Sequence, residues 1–295
     1  MNRILQGRII KGIAGFYYVR VPDEGLFECR ARGSFRKDKT KPLVGDEAQL
    51  AVLDEDARTG NLIKILERKS CLIRPEVANV DQALVLFAAT APKPNFHLLD
   101  TFLVMMRAQG IDTMICFNKA DLATEEELAA LRARYEKSGS PLIFSSVVQK
   151  TGIDALKRLL TGRITTVAGP SGAGKSSMIN ALQSDVVMET GTISEKIQRG
   201  KHTTRHSQLI CLGGDTYIMD TPGFTSLTMD LPKEELHLYF PEFAPYEGTC
   251  RFLGCMHDRE PSCSVKEAVA AGEISSGRYE TYLALYHELC ERRSY

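Results

Sequence analysis

The chain has 295 residues, enough for two or three domains, and its 43% hydrophobic and 25% charged residues are those of an ordinary globular protein. Its 37 Lys/Arg balance 37 Asp/Glu, which argues against nucleic-acid binding through bulk charge, and no apolar run reaches membrane-spanning length. The N-terminus, MNRILQGRIIKGIAGFYYVR, carries a charge soon after each apolar stretch and has no A-x-A-like cleavage site, so the expectation is a cytoplasmic protein without a signal peptide.

Residues 1–68 read as a small β-domain. GRIIKGIAGFYYVRV, LFECRARGSF and VGDEAQLAVLD are short, rich in β-branched and aromatic residues, and broken by glycines. Five or so such strands predict a small barrel, of OB type or, alternatively, SH3-like. Charge is locally uneven: residues 1–70 hold 14 Lys/Arg against 10 Asp/Glu. Within RARGSFRKDKTK, Arg30, Arg32, Arg36, Lys37, Lys39 and Lys41 face a single acid, Asp38. Such a loop can sit on nucleic-acid phosphates, though a plain solvated loop has the same composition.

Residues 69–229 change pattern. QALVLFAA, DTMICF, PLIFSS, RITTVA, SQLICL and DTYIMD are apolar strands. Between them NFHLLDTFLVMMRAQG, ATEEELAALRARYEKSG (with Thr124 as cap), GIDALKRLL and KSSMINALQ read as helices. The alternation predicts a mainly parallel sheet covered on both faces. Residues 230–295 hold a Cys/His cluster and then the helical stretches SVKEAVAAG and SGRYETYLALYHELCERR.

The second segment carries nucleotide chemistry. Gly169-Pro-Ser171-Gly172-Ala173-Gly174-Lys175-Ser176 fits G-x-x-x-x-G-K-[ST], follows an apolar strand and opens a helix that continues with Ser177. Its glycines let backbone N–H groups curl round phosphate oxygens, Lys175 should reach the outer phosphates, and Ser176 should ligate magnesium. Asp220-Thr-Pro-Gly223 ends a strand, placing Asp220 to hold magnesium and Gly223 to sense the γ-phosphate. RGKHTTRH lies between the two, and Thr204, with Thr203 the alternative, could supply a switch hydroxyl to magnesium.

Asn118-Lys119-Ala-Asp121 spells N-K-x-D at the end of a strand. The Asp121 carboxylate can accept both the N1–H and the 2-amino group of guanine, a pattern adenine lacks; Asn118 and Lys119 support the loop. Ser145-Ser146, after the next helix and strand, would be the second guanine-side loop. In ordinary GTPases the base-reading pair follows the phosphate loop; here it precedes it. Ligands of open α/β sheets bind at the carboxyl ends of the strands, so moving the chain ends around the sheet leaves the site intact. The order therefore predicts a circularly permuted GTPase that binds GTP or GDP with magnesium. Phe224 stands just after DTPG, where other GTPases place a water-orienting Gln, so intrinsic hydrolysis should be slow.

Cys250, Cys255, His257 and Cys263 have the spacing C-x4-C-x-H-x5-C. Three thiolates and an imidazole close a tetrahedral shell with no open position, which predicts one structural zinc.

The permuted order, the preceding β-domain and the cysteine cluster resemble the ribosome-small-subunit-dependent GTPases of the RsgA family, most specifically in GPSGAGKSS, RGKHTTRH, DTPGF and CRFLGCMHDREPSC. The resemblance covers essentially the whole chain. It implies an OB-fold over 1–68, a permuted GTPase domain over 69–229 and a zinc-binding helical domain over 230–295. It also implies a part in late maturation of the small ribosomal subunit, contact with its rRNA, and GTP hydrolysis stimulated by that subunit. His202, just ahead of the two threonines, matches a family His that could orient the attacking water. Absence of a heptad or other self-association signal leaves a monomer as the expectation.

Overall fold

The computed structural model describes residues 3–31, 35, 41–73, 76–190, 208–220 and 229–292. Two compact units divide them.

The first unit holds the N-terminal barrel. Strands β1 (Ile4–Ile13), β2 (Phe16–Val21), β3 (Gly25–Ala31), β4 (Glu47–Asp54) and β5 (Thr59–Ile65) close in the order β1-β2-β3-β5-β4. Only the β3–β5 pair is parallel, so the chain crosses over once before closing, which gives an OB-like rather than a simple up-and-down barrel. The β1–β2 hairpin turns on two residues, Ala14 and Gly15, both at positive φ, the geometry whose twist matches the flanking strands. Alternate residues point inward, and Ile9, Val19, Phe27, Leu50 and Leu62 make the buried barrel core.

A short hairpin, β6 (Cys71–Ile73) and β7 (Glu76–Ala78), follows the barrel. Sequence reading missed it, because three-residue strands are too short to show a period. The same unit contains three of the six strands of the α/β sheet, in the order β11 (Ile164–Ala168), β13 (Thr216–Asp220), β12 (Leu209–Gly213). β11 and β13 run parallel, whereas β12 is antiparallel to β13. Within this unit the barrel meets β12–β13: Lys11 bridges to Gln208, and the Arg8 guanidinium lies 4.9 Å over the Tyr217 ring.

The other three sheet strands, in the order β10 (Leu142–Phe144), β9 (Asp112–Asn118), β8 (Gln82–Ala88), belong to the second unit almost entirely. Every residue of β8 is buried, as a continuous apolar run in a covered parallel sheet should be. Helix α1 (Phe96–Ala108) starts at Asn95, whose side chain accepts from Leu98 N–H. Helix α2 (Glu125–Tyr135) starts at a complete capping box between Thr124 and Glu127, as the sequence foretold for Thr124. Helices α3 (Ile153–Leu160) and α4 (Lys175–Thr190) follow β10 and β11.

The C-terminal stretch of the second unit is helical: two 3₁₀ segments, Lys233–Tyr239 and Pro241–Tyr246, then α5 (Ser264–Ala270) and α6 (Ser276–Glu291). Phe240, Phe243 and Tyr282 pack their rings 5.0–5.4 Å apart at its centre, with Leu285, Val265 and Val104 of α1 around them. The fully buried Arg278 donates from Nε to Glu242 Oε1 at 2.7 Å and from Nη1 to Asp100 Oδ1 in α1. One cation thereby pairs with two buried carboxylates and ties α6 to α1.

Candidate nucleotide site and metal centre

The phosphate loop runs from the end of β11 into α4, so both its ends are held by regular structure. Gly169 lies against β8: a Cβ there would come within 2.0 Å of the Leu86 carbonyl oxygen, so no larger residue fits. Gly174, at φ +93°, leaves the space taken by Asn118, whose Nδ2 would lie 2.4 Å from an added Cβ. Ala173 is buried, Gly172 turns at positive φ, and Ser171, Ser176 and Ser177 are exposed. The Lys175 ammonium curls back into the loop, donating to the carbonyls of Gly169 and Pro170 at 2.8 Å each. Its charge is thus held against the loop's own carbonyls.

Asn118, the last residue of β9, is buried and joins three loops. Its Nδ2 donates to the Ala173 carbonyl at 3.1 Å, and its Oδ1 accepts from the Ser145 hydroxyl at 3.3 Å. Lys119 takes the left-handed conformation at φ +58° and donates from Nζ to the Ala91 carbonyl at 2.7 Å. The chain then forms a 3₁₀ turn, Ala120–Leu122, on which Asp121 stands half-exposed. Ala120 N–H donates to the Ser145 carbonyl at 3.0 Å, which couples the turn to the next loop. That loop is closed by reciprocal backbone bonds between Ser146 and Thr151, and Ser145 and Ser146 are buried. Asn118, Lys119, Asp121, Ser145 and Ser146 therefore gather at the carboxyl ends of β9 and β10, beside the loop Gly169–Ser176.

Other residues singled out from the sequence fall outside this description. Asp220 closes β13, but its side chain lies outside the described residues, as do His202, Thr203, Thr204, Gly223 and Phe224. Of the basic stretch, Arg32, Arg36, Lys37 and Lys39 are likewise outside. Arg30 is exposed at the end of β3 with its guanidinium 4.5 Å over the Phe16 ring, and the exposed Lys41 pairs with Glu76.

The four proposed metal ligands converge, their donor atoms all within 4.8 Å of one another. Zinc–thiolate bonds are about 2.3 Å, so sulfurs at two corners of a tetrahedron lie roughly 3.8 Å apart. The Cys250 and Cys263 sulfurs are 3.8 Å apart, and His257 Nδ1 is 3.3 Å from Cys263 Sγ and 3.7 Å from Cys250 Sγ. These spacings fit a tetrahedral cation and are far too long for a disulfide. The chemistry of the donors fits as well. Burial keeps His257 below the ordinary imidazole range, leaving the neutral ring that ligates metal. Burial pushes Cys255 up to about 12 and raises Cys263, so burying these two sulfurs opposes their ionisation. Burial also acts against Cys250, but the Ser264 and Val265 N–H groups at the start of α5 and the neighbouring thiols outweigh it and lower that thiol.

Sequence reading missed the groups that hold these ligands in place. Glu260 accepts from the N–H groups of Met256 and Asp258, on either side of His257, at 2.9 and 3.0 Å. Tyr282 donates to the Met256 carbonyl and Tyr279 to the His257 carbonyl, both at 2.6 Å. A Glu three residues past a ligand His was the one signal in the sequence; the tyrosines, on α6, gave none.

The RsgA GTPase family model matches residues 65–230, more than half of the chain, and the RsgA N-terminal domain model matches residues 6–60. The chain belongs to the RsgA GTPase family. It is 55% identical to the small ribosomal subunit biogenesis GTPase RsgA of Agathobacter rectalis over 99% of this chain and 100% of the relative. The RsgA of Alkaliphilus metalliredigens is 48% identical over 98% of this chain and 99% of its own. Among solved structures, YjeQ from Thermotoga maritima superposes with a TM-score of 0.81 at 35% identity, covering 99% of this chain and 100% of that one. YloQ, described as a circularly permuted GTPase, gives 0.78 at 34% identity, covering 99% and 97%. The expected family and the permuted order are therefore borne out, and the chain is a GTP hydrolase whose reaction takes GTP to GDP. Magnesium accompanies GTP in such enzymes, and the Cys₃His cluster can hold zinc. No helix among the described residues is long and apolar enough to cross a membrane.

Proposed function

We propose that this RsgA-family GTPase binds the small ribosomal subunit, assists its late maturation, and hydrolyses GTP faster when bound to it. The observation that carries the nucleotide half is Asn118. Its side chain spans from the base-side loops to the Ala173 carbonyl of the phosphate loop, so two motifs in reversed chain order make one cradle. The ribosomal half is supported by the names of full-length relatives at 48–55% identity.

In this reading Asp121 accepts from guanine N1–H and the 2-amino group, and Asn118 and Lys119 hold its turn. Ser145 and Ser146 present the second base-side loop. The backbone of Gly169–Ser177 surrounds the phosphates, and Lys175 swings from its loop carbonyls to the outer ones. Ser176, Thr204 and Asp220 would hold magnesium, which neutralises charge between the β- and γ-phosphates. Gly223 reports the γ-phosphate. His202 orients water in place of a Gln when the subunit is bound. Cys250, Cys255, His257 and Cys263 hold a structural zinc.

The working division is an OB-fold RNA-binding domain over 1–68, a permuted GTPase domain over 69–229 and a zinc-binding helical domain over 230–295. Arg30, Arg32, Arg36, Lys37, Lys39 and Lys41 approach rRNA phosphates, and the protein works as a cytoplasmic monomer. GTP turnover with and without purified small subunits tests the proposal, with ATP and large subunits as controls. Stimulation by small subunits alone, for GTP alone, is the expected result. Turnover indifferent to every ribosomal particle would remove the ribosomal half.

A further inference from the structure

We propose that Glu247 is the positioning carboxylate for the metal ligand His257, and that His237 locks it in place. This rests on reading Cys250, Cys255, His257 and Cys263 as a zinc site. His257 is 1% exposed, and its Nδ1 faces the Cys250 and Cys263 sulfurs. Its other nitrogen, Nε2, lies 3.3 Å from Glu247 Oε1. A neutral imidazole carries one N–H; if Nδ1 gives its lone pair to a cation, Nε2 must hold the proton and donate it. Glu247 is placed to accept that proton's hydrogen bond, which selects the tautomer, fixes the ring plane and raises the basicity of Nδ1.

Two further features make this an organised arrangement. The same Glu247 oxygen lies 2.6 Å from His237 Nδ1, so a second imidazole donor pins the carboxylate, and the two rings meet edge-on with centroids 5.8 Å apart. His257 also sits at φ +58°, uncommon for a residue with a Cβ. Its backbone pose is thus imposed from outside, and its ring is fixed by contacts: Glu247 at Nε2 and the Phe243 ring, near-perpendicular with centroids 5.7 Å apart. His237, Glu247 and His257 lie close enough to suggest a metal site of their own. With Nδ1 as the ligand atom, the proton held by His257 Nε2 leaves only two ligands there.

The test uses the full-length, zinc-loaded protein. Nitrogen-15 NMR of the histidine rings should show His257 protonated at Nε2, and metal analysis should give one zinc per chain. In competition with a chromogenic chelator, Glu247→Ala should weaken zinc binding about tenfold to a hundredfold. Glu247→Gln, whose amide oxygen still accepts, should weaken it less. A proton on His257 Nδ1, a second zinc, or unchanged zinc affinity in Glu247→Ala would each overturn the proposal while leaving the Cys₃His site standing. A wild-type chain that binds no zinc would instead overturn the metal reading and this inference with it. Should Glu247→Ala fail to fold, the His257 Nε2–H proton of the wild-type protein decides: a downfield, slowly exchanging proton supports the bond to Glu247, and a rapidly exchanging one overturns it.

Discussion

The phosphate loop and the cysteine cluster lie in the same compact unit, yet they prepare for their ligands in opposite ways. The phosphate loop is built from backbone whose path is set by its neighbours in the fold. Its glycines fit against β8 and Asn118, and Lys175 is bonded to the loop's own carbonyls. The cysteine cluster is built from side chains, and burial opposes ionisation of two of its sulfurs, Cys255 and Cys263. The difference teaches that losing nucleotide should cost affinity and activity, whereas losing metal should cost structure.

The sharpest way to break that contrast is to remove the metal. Chelation should melt the segment around α5 and α6, because binding energy at structural zinc sites, about 10–16 kcal/mol in small peptides, is folding energy. Hydrogen exchange should report the loss there while GTP binding largely persists; unaltered protection after zinc removal would refute it. Arg278→Ala attacks the same scaffold without touching the metal ligands. It strands Asp100 and Glu242 as buried, unpaired carboxylates, a loss of about 3–5 kcal/mol that denaturant unfolding would register.

On the nucleotide side the effects should fall on function. Lys175→Ala removes the loop's central cation and should lower turnover on the order of a hundredfold, with the thermal midpoint nearly unchanged. Asn118→Ala cuts the link between the base-side loops and Ala173. It should weaken GTP binding by about tenfold to a hundredfold, the equivalent of one or two buried hydrogen bonds, as read by nucleotide titration. A variant that bound GTP normally would show that the two loops need no such tie.

How legible each region was follows from how it is built. The phosphate loop is contiguous and demands glycines, so eight residues disclose it. The cysteine cluster shows itself through three cysteines and a histidine crowded into fourteen residues at metal-ligand spacing. The strands and helices of the sheet were readable because β8 and β9 carry the apolar runs Ala83–Ala88 and Met114–Phe117 and α2 carries its own cap. What stayed hidden has no local pattern. Arg278 meets Asp100 and Glu242 across separations of 178 and 36 residues, and a lone arginine on a helix reads as a surface residue. Glu247 is one acid among 37, and only the fold brings it to His257.

The central claim is that Asn118–Asp121, although it precedes the phosphate loop, reads the base of the nucleotide held by Gly169–Ser177. The most direct measurement is the nucleotide choice of Asp121→Asn. Asparagine keeps the shape but can no longer accept from both guanine N1–H and the 2-amino group, while its amide can donate to the C2 carbonyl of xanthine. The account predicts GTP affinity reduced on the order of a hundredfold and xanthosine triphosphate bound in its place. Unchanged preference for GTP would contradict it and move base recognition elsewhere in the chain.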